Sequence, residues 1–215
     1  MGDNLIYNLF ICVVVPLGLL LFLLPKKTRL IVGYMVIGIF VALFASEANS
    51  LSFRGLDKLG YDMFYASTTI APVIEEISKA VPVLIFALFF SDDKKKLMPI
   101  SLALGIGFGF FENTVILMQN TGDVTFGWAL ARGFSTALMH GVCTLTVGYG
   151  ISFVKKRKKL SLCGTFALLA FAMIYHGIFN MLVQSDYRIF GFILPAATYI
   201  PLVYRQHVYM TMENK

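Results

Sequence analysis

The sequence predicts an all-α fold, a polytopic membrane bundle of about seven transmembrane helices that forms one domain over residues 1–215. Two observations predict this class. Hydrophobic residues make up 58% of the chain and charged residues only 14%, and the mean hydropathy is +0.76, which excludes an ordinary soluble domain. Apolar runs close to the roughly 20 residues that span a bilayer also recur along the whole length.

Polar breaks separate seven apolar runs, and each run predicts one transmembrane helix. The runs cover residues 5–25, 30–50, 64–91, 97–120, 126–154, 161–184 and 188–206. The first run has neither a basic n-region nor a small-residue cleavage site, so we expect it to stay as a membrane helix. Residues 51–63, between the second and third runs, are equally compatible with an interfacial amphipathic helix and with a loop.

The charges in the breaks predict how the helices are oriented. Strongly basic breaks precede the second, fourth and sixth runs, at residues 26–29, 94–96 and 155–159, whereas the intervening breaks are weakly basic. The positive-inside rule then places the N-terminus outside and the C-terminus in the cytoplasm. The formal net charge of +6 is therefore a topology signal, and we expect the lipid bilayer, not nucleic acid, as the partner.

Ionisable residues inside the apolar runs are the candidate functional residues, because a charged side chain in hydrocarbon is costly unless it is paired or solvated. The third to sixth runs contain Glu75, Glu76, Lys79, Glu112, Arg132, His140 and His176. One helical turn separates Glu75 from Lys79, so these two are expected to pair on one face. Glu76 is expected to point about 100° away from that face.

Four of these residues are predicted to share one depth in the membrane. Because the helices alternate in direction and rise 1.5 Å per residue, Glu75, Glu112, His140 and His176 all fall roughly 12–21 Å below the outer surface. A single polar cavity in the outer half of the bilayer, where the four meet, explains this agreement.

Three polar neighbours are candidates for supporting roles, and two of them allow more than one interpretation. Asn180 lies one turn after His176, and two neutral donors presented together can stabilise an oxyanion. Arg132 shares a helix face with His140 and fits either a carboxylate clamp or a lipid-headgroup contact. Asn113 fits either a bridge between helices or a place in the site.

Proline and glycine positions predict local features of the helices. Pro72 and Pro82 flank the glutamate pair and are expected to loosen that helix and free backbone carbonyls. Gly105, Gly107 and Gly109 form a GxGxG inside an apolar run, where close helix packing explains them better than dinucleotide binding.

The absence of several motifs narrows the chemistry. The sequence contains no HExxH, no GxSxG and no paired aspartates of the aspartic-protease type inside the apolar runs. The glutamates, histidines and asparagine that remain fit hydrolysis by a carboxylate-activated water. They also fit a divalent metal such as zinc held by Glu75, Glu112, His140 and His176. Two functions of other classes stay open, a proton- or cation-coupled transporter that uses the carboxylates as a relay and a non-catalytic scaffold.

Four motifs carry a resemblance to a known family. They are an EExxK at residues 75–79, an FxxxEN at 108–113, an R-x7-H at 132–140 and an HxxxN at 176–180. In this order on successive helices, over about residues 64–184, they resemble the PrsW family of intramembrane proteases. That family is related to the CAAX prenyl endopeptidases and to bacteriocin-processing or immunity proteins.

The resemblance implies a multi-pass endopeptidase of the prokaryotic plasma membrane that cuts a membrane-anchored protein near its outer side, with an anti-sigma factor as the family's best-known substrate. By position it implies that Glu75 activates water, that Glu76 supports it, and that His176 with Asn180 forms the oxyanion site. The CAAX relatives have a histidine where this chain has Glu112. Glu75 and Glu112 therefore either share a proton or help to hold a metal, and we favour glutamate-activated water without a cofactor.

Overall fold

The computed structural model describes residues 26–119, 125–153 and 158–213, with side chains described for 28–119, 125–153 and 163–201. Every regular element in these ranges is helical. The long helices are α1 (Lys26–Lys58), α2 (Ala71–Phe89), α3 (Lys94–Gln119), α4 (Phe126–Ile151), α5 (Lys158–Val183) and α6 (Arg188–Glu213). They coincide with the second to seventh predicted runs. The first run, residues 5–25, lies outside the described residues.

Three of the described helical segments are long and apolar enough to cross a membrane. They are Thr28–Lys58 in α1, Lys94–Gln119 in α3 and Cys163–Val183 in α5. In α2 a cluster of charged residues interrupts the apolar sequence. The membrane-protein class is therefore supported, while the count of seven spans and the orientation of the termini stay predictions.

In the segment between the second and third runs, residues 51–58 are helical, but they continue α1 instead of forming a separate helix. No proline interrupts this stretch, and the chain turns only at Gly60, whose φ of +83° suits glycine. The next helical turn, Met63–Tyr65, starts where the Asp62 carboxylate accepts the Tyr65 N–H at 2.7 Å. An aspartate at this position is a favourable helix cap.

Consecutive helices run antiparallel, as the contacts between α1 and α2 illustrate. Near the start of α1, the Tyr34 hydroxyl donates to the carbonyl of Pro82, late in α2. Further along α1, Asn49 contacts Glu75, near the start of α2. This arrangement brings polar residues from different helices to the same level of the bundle.

Glycines let α3 lie in close contact with both α1 and α4. A Cβ at Gly105 would collide with the backbone carbonyl of His140 in α4, and a Cβ at Gly107 would collide with that of Met35 in α1. Gly38 of α1 meets the α3 backbone in the same way. The predicted packing role of the GxGxG is therefore confirmed, and it presses the helix that carries His140 against α3.

A π-helical segment, Ala66–Ile70, precedes α2 and leaves two carbonyls without their ordinary helical donors. The Ala71 N–H donates to Ala66 rather than to Ser67, and Pro72 has no N–H to offer Thr68. Carbonyls freed toward the polar cavity were expected beside Pro72. A carbonyl is freed there, but it turns to another helix instead of the cavity. The Ser67 carbonyl is satisfied across the bundle by the side chain of Asn180, at 3.0 Å.

Candidate functional site

Three helices bring ionisable side chains to one buried point. Glu75 of α2, His140 of α4 and His176 of α5 each offer a ligand atom, and these atoms lie within 4.8 Å of one another. Glu112 of α3 joins them, because its Oε2 lies 2.5 Å from His140 Nε2. The prediction that these four residues meet is confirmed, while their depth below the outer surface stays a prediction.

Lys79 is fully buried beside this cluster and contacts His140, which is one of its members, and Glu76. Its Nζ lies 2.6 Å from Glu76 Oε1 and 2.8 Å from His140 Nδ1. The prediction that Lys79 pairs with Glu75 is therefore wrong. Spacings of three and four residues both place side chains together on a helix, and here Glu76 is the buried partner, at 1% exposure.

The contacts of His140 define which of its nitrogens carries the proton. An ammonium can only donate, so Lys79 donates to Nδ1 and the Nε2–H donates to the Glu112 carboxylate. Lys79 and Glu112 thus hold the imidazole from both sides, which fixes its orientation and its tautomer.

His176 has a different environment. Its Nδ1–H donates to Glu76 Oε1 at 2.8 Å, so the lone pair of Nε2 points the other way, toward Glu75 Oε2 at 3.7 Å. That carboxylate oxygen is buried and has no hydrogen-bond partner among the described residues. Two acceptors that face each other in a buried site are unfavourable unless a proton, a water or a cation lies between them.

Asn49 of α1 holds the other oxygen of Glu75, and sequence reasoning missed it. Its Nδ2 donates to Glu75 Oε1 at 2.9 Å, which leaves Oε2 as the oxygen that faces His176. An amide inside the otherwise apolar run 30–50 was the available signal. The residue lies 26 positions from Glu75, so only the packing of α1 on α2 shows the contact.

Arg132 of α4 and Asn113 of α3 each make a contact that fits one of the two interpretations given for it. Arg132 Nη2 lies 3.6 Å from Glu112 Oε1, which fits a carboxylate clamp. Asn113 donates to the carbonyl of Gly133 at 3.4 Å, which fits a bridge between helices.

Asn180 lies away from the cluster. Its amide donates to the Ser67 carbonyl of the π-helical segment, whereas His176 contacts the two glutamates. The oxyanion pair implied for His176 and Asn180 would therefore require the Asn180 amide to leave Ser67 and rotate.

The cluster also fits a divalent cation. One carboxylate and two imidazoles are a donor set that suits zinc. The free Glu75 Oε2 and the His176 Nε2 lone pair both point into the site. His176 Nδ1 is held by Glu76, as metal-binding histidines are usually held by a carboxylate. His140 would offer Nε2 only after giving its proton to Glu112.

A cavity of about 260 Å³ opens beside the cluster, between α1 and α3. Glu75 and Glu112 line it, together with Asn49. The charged centre is therefore reachable from one side of the bundle.

Comparison with known proteins gives a consistent result. Residues 26–205 match the family model described as PrsW family intramembrane metalloprotease. Protease PrsW of Clostridioides difficile (strain 630) is 24% identical over 196 residues, which cover 84% of this chain and 81% of that protein. No solved structure matches.

Proposed function

Because this chain belongs to the PrsW family of intramembrane metalloproteases, we propose that it is an endopeptidase that hydrolyses a peptide bond of a membrane-anchored protein near its extracytoplasmic side. One observation carries the proposal. Glu75 Oε2 and His176 Nε2 face each other at 3.7 Å in a buried site, and the carboxylate oxygen has no partner among the described residues. A water held there would have a base beside it.

In the mechanism that we propose, Glu75 activates that water. Its Oε2 takes a proton as the water oxygen attacks the scissile carbonyl carbon, and it then delivers the proton to the leaving amine. Asn49 keeps Oε1 in place, and Glu76 keeps His176 in place through Nδ1. Holding the base in this way lowers the entropic cost of reaching the reactive geometry.

A metal-dependent version uses the same residues. Glu75, His140 and His176 would hold the ion, and the family's description as metalloproteases supports this version. A bound divalent ion such as zinc acts as a Lewis acid that polarises a carbonyl oxygen. Glu112, which was expected in the ligand set, contacts His140, as Glu76 contacts His176, and both carboxylates would then orient the ligand histidines.

Metal analysis distinguishes the two versions. Purified wild type is analysed for bound metal and assayed in chelator, beside His140→Ala and His176→Ala. Full activity in metal-free protein supports glutamate-activated water. One ion per chain, lost in both variants together with the activity, supports the metal-dependent version.

We further propose a multi-pass protein of the plasma membrane with seven spans, its N-terminus outside and its C-terminus in the cytoplasm. The up-and-down order of the described helices supports this topology, because it puts the first residues of α1 and the basic residues Lys94–Lys96 at the same end of the bundle. An anti-sigma factor with one span is the substrate that the family resemblance favours.

Co-expression with candidate single-span proteins tests the proposed function. Wild type is compared with Glu75→Gln, which keeps the side-chain shape, and with His176→Ala. Glu47→Gln is the matched control, because Glu47 is exposed on α1. We expect wild type and the control to cleave and the other two to lose cleavage. Equal processing by all four, or ion flux in liposomes without any cleavage, would contradict the proposal.

A further inference from the structure

The cavity beside the charged cluster has one helix on each side. Mostly small residues of α1 line one wall, namely Ala42, Ser46 and Ser50, with Phe53 as a large one. Larger apolar residues of α3 line the other wall, among them Phe111 and Val115. We call this space the α1–α3 cleft. Because Glu75 and Glu112 also line it, an occupant of the cleft lies beside the candidate catalytic base.

The shape of the cleft suits a narrow occupant. The cleft measures about 260 Å³ and lies between two helices that pack closely at Gly38 and Gly107. It has room for a short stretch of extended chain, and its small α1 residues let a backbone approach closely.

An extended stretch of chain needs hydrogen-bond partners inside a membrane, because unwinding a helix frees its N–H and C=O groups where water is scarce. Asn49 offers an acceptor at the right place. Its Nδ2 is used by Glu75, whereas its Oδ1 is buried and has no partner among the described residues. A buried amide oxygen in this state is expected to accept a hydrogen bond from an occupant.

We propose that the α1–α3 cleft binds a short unwound stretch of the substrate, and that Asn49 accepts one backbone N–H from it while its amide group holds Glu75. The inference rests on the proposed endopeptidase function and adds the route and conformation of the substrate. Asn49 is thereby both a substrate-binding residue and a positioning residue for Glu75.

Photo-crosslinking tests the route. A photo-crosslinking amino acid is placed at Ser46, at Ser50 or, as a control, at Glu47, which is exposed on α1 and does not line the cleft. The chain carries Glu75→Gln to stop turnover, and the probe is a single-span protein that wild type cleaves. We expect crosslinks at both cleft positions and at least about tenfold fewer at Glu47. Equal crosslinking at Glu47, or none in the cleft, would overturn the inference.

Replacement of backbone amides tests the role of Asn49. Synthetic single-span peptides are made with one amide N–H at a time replaced by an ester oxygen near the scissile bond. At one position we expect wild type to lose about tenfold in kcat/KM, the size of one well-placed hydrogen bond. Asn49→Ala should have a lower kcat/KM than wild type on the parent peptide, and the ester at that same position should not lower its kcat/KM further. Identical ester profiles for the two proteins would refute the contact.

The outcomes separate the two proposals. Cleavage by wild type without cleft crosslinks removes the inference and leaves the endopeptidase function standing. Absence of cleavage by wild type removes both. If Asn49→Ala does not fold, Asn49→Ser replaces it, and the crosslinking result stands without either because Asn49 is intact in that experiment.

Discussion

Replacing Lys79 with methionine should destabilise the protein strongly. Methionine keeps the length of the side chain and removes the ammonium that contacts Glu76 at 2.6 Å and His140 at 2.8 Å. Lys79 is fully buried, so its removal leaves the charge of Glu76 without a cation. Breaking a buried ion pair from one side costs about 3–5 kcal/mol, and we expect about 4 kcal/mol for Lys79→Met.

A second substitution checks the cause of that loss. Adding Glu76→Gln removes the unpaired charge but keeps an oxygen that can accept from His176. The double variant should therefore recover about 2 kcal/mol relative to Lys79→Met alone, because removing both charges of a buried pair is much less costly than removing one. Lys96→Met is the matched control, since Lys96 is exposed and should change stability by less than about 0.5 kcal/mol.

Unfolding in detergent micelles, followed by circular dichroism during titration with SDS, measures these free energies of unfolding. The reasoning fails if Lys79→Met lies within about 1 kcal/mol of wild type. It fails equally if Glu76→Gln adds its own cost to Lys79→Met instead of relieving it, because the pair would then contribute nothing through its charge.

Three further predictions concern packing and charge around the site. Gly105→Ala should cost about 1–3 kcal/mol, because the new Cβ meets the His140 backbone, whereas Gly133→Ala has open space and should not destabilise. Gly177→Ala places a Cβ 2.7 Å from the Thr68 carbonyl oxygen and should lower the thermal midpoint by several degrees. Gly164→Ala is its control, because a Cβ there meets nothing within 4 Å, and its thermal midpoint should not fall. Arg132→Gln should cost at most about 1 kcal/mol, because its contact with Glu112 is 3.6 Å long and partly exposed; a loss near that of Lys79→Met in the same SDS titration would show that Arg132 is an essential buried cation.

Much of the site could be predicted from the sequence, because ionisable side chains inside apolar runs are energetically costly and easy to recognise. Glutamates and histidines in apolar runs must find one another, so the meeting of Glu75, Glu112, His140 and His176 was predictable from helix direction and rise alone. The six described long helices were also predictable, because each apolar run is long, but the continuation of α1 through residues 51–58 was not.

The pairing inside the site was not predictable. Lys79 reaches residues three or four positions back equally well, and the choice of Glu76 depends on which carboxylate the neighbouring helices bury. The contact of Asn49 with Glu75 depends on how α1 crosses α2. Asn180 binds Ser67 only because the π-helical segment exposes that carbonyl, and a one-residue change in hydrogen-bond register leaves little trace in the sequence.

The glycine contacts that fasten α1 to α3 also determine how the two helices can separate. They act inside both helices, around Gly38 and Gly107, and Ala42 and Ala45 continue the packing of α1 against Phe108. Asn49 lies about 16 Å beyond Gly38 along α1 at 1.5 Å per residue. Asn49 therefore lies on the part of α1 that moves when α1 tilts about its glycine contacts with α3. A tilt of α1 by about 10° would move Asn49 by about 3 Å, more than a hydrogen bond tolerates. A tilt that separates α1 from α3 to admit a bulkier substrate would break the hydrogen bond from Asn49 to Glu75. A substrate that is too large for the cleft would therefore displace the residue that holds the base in position.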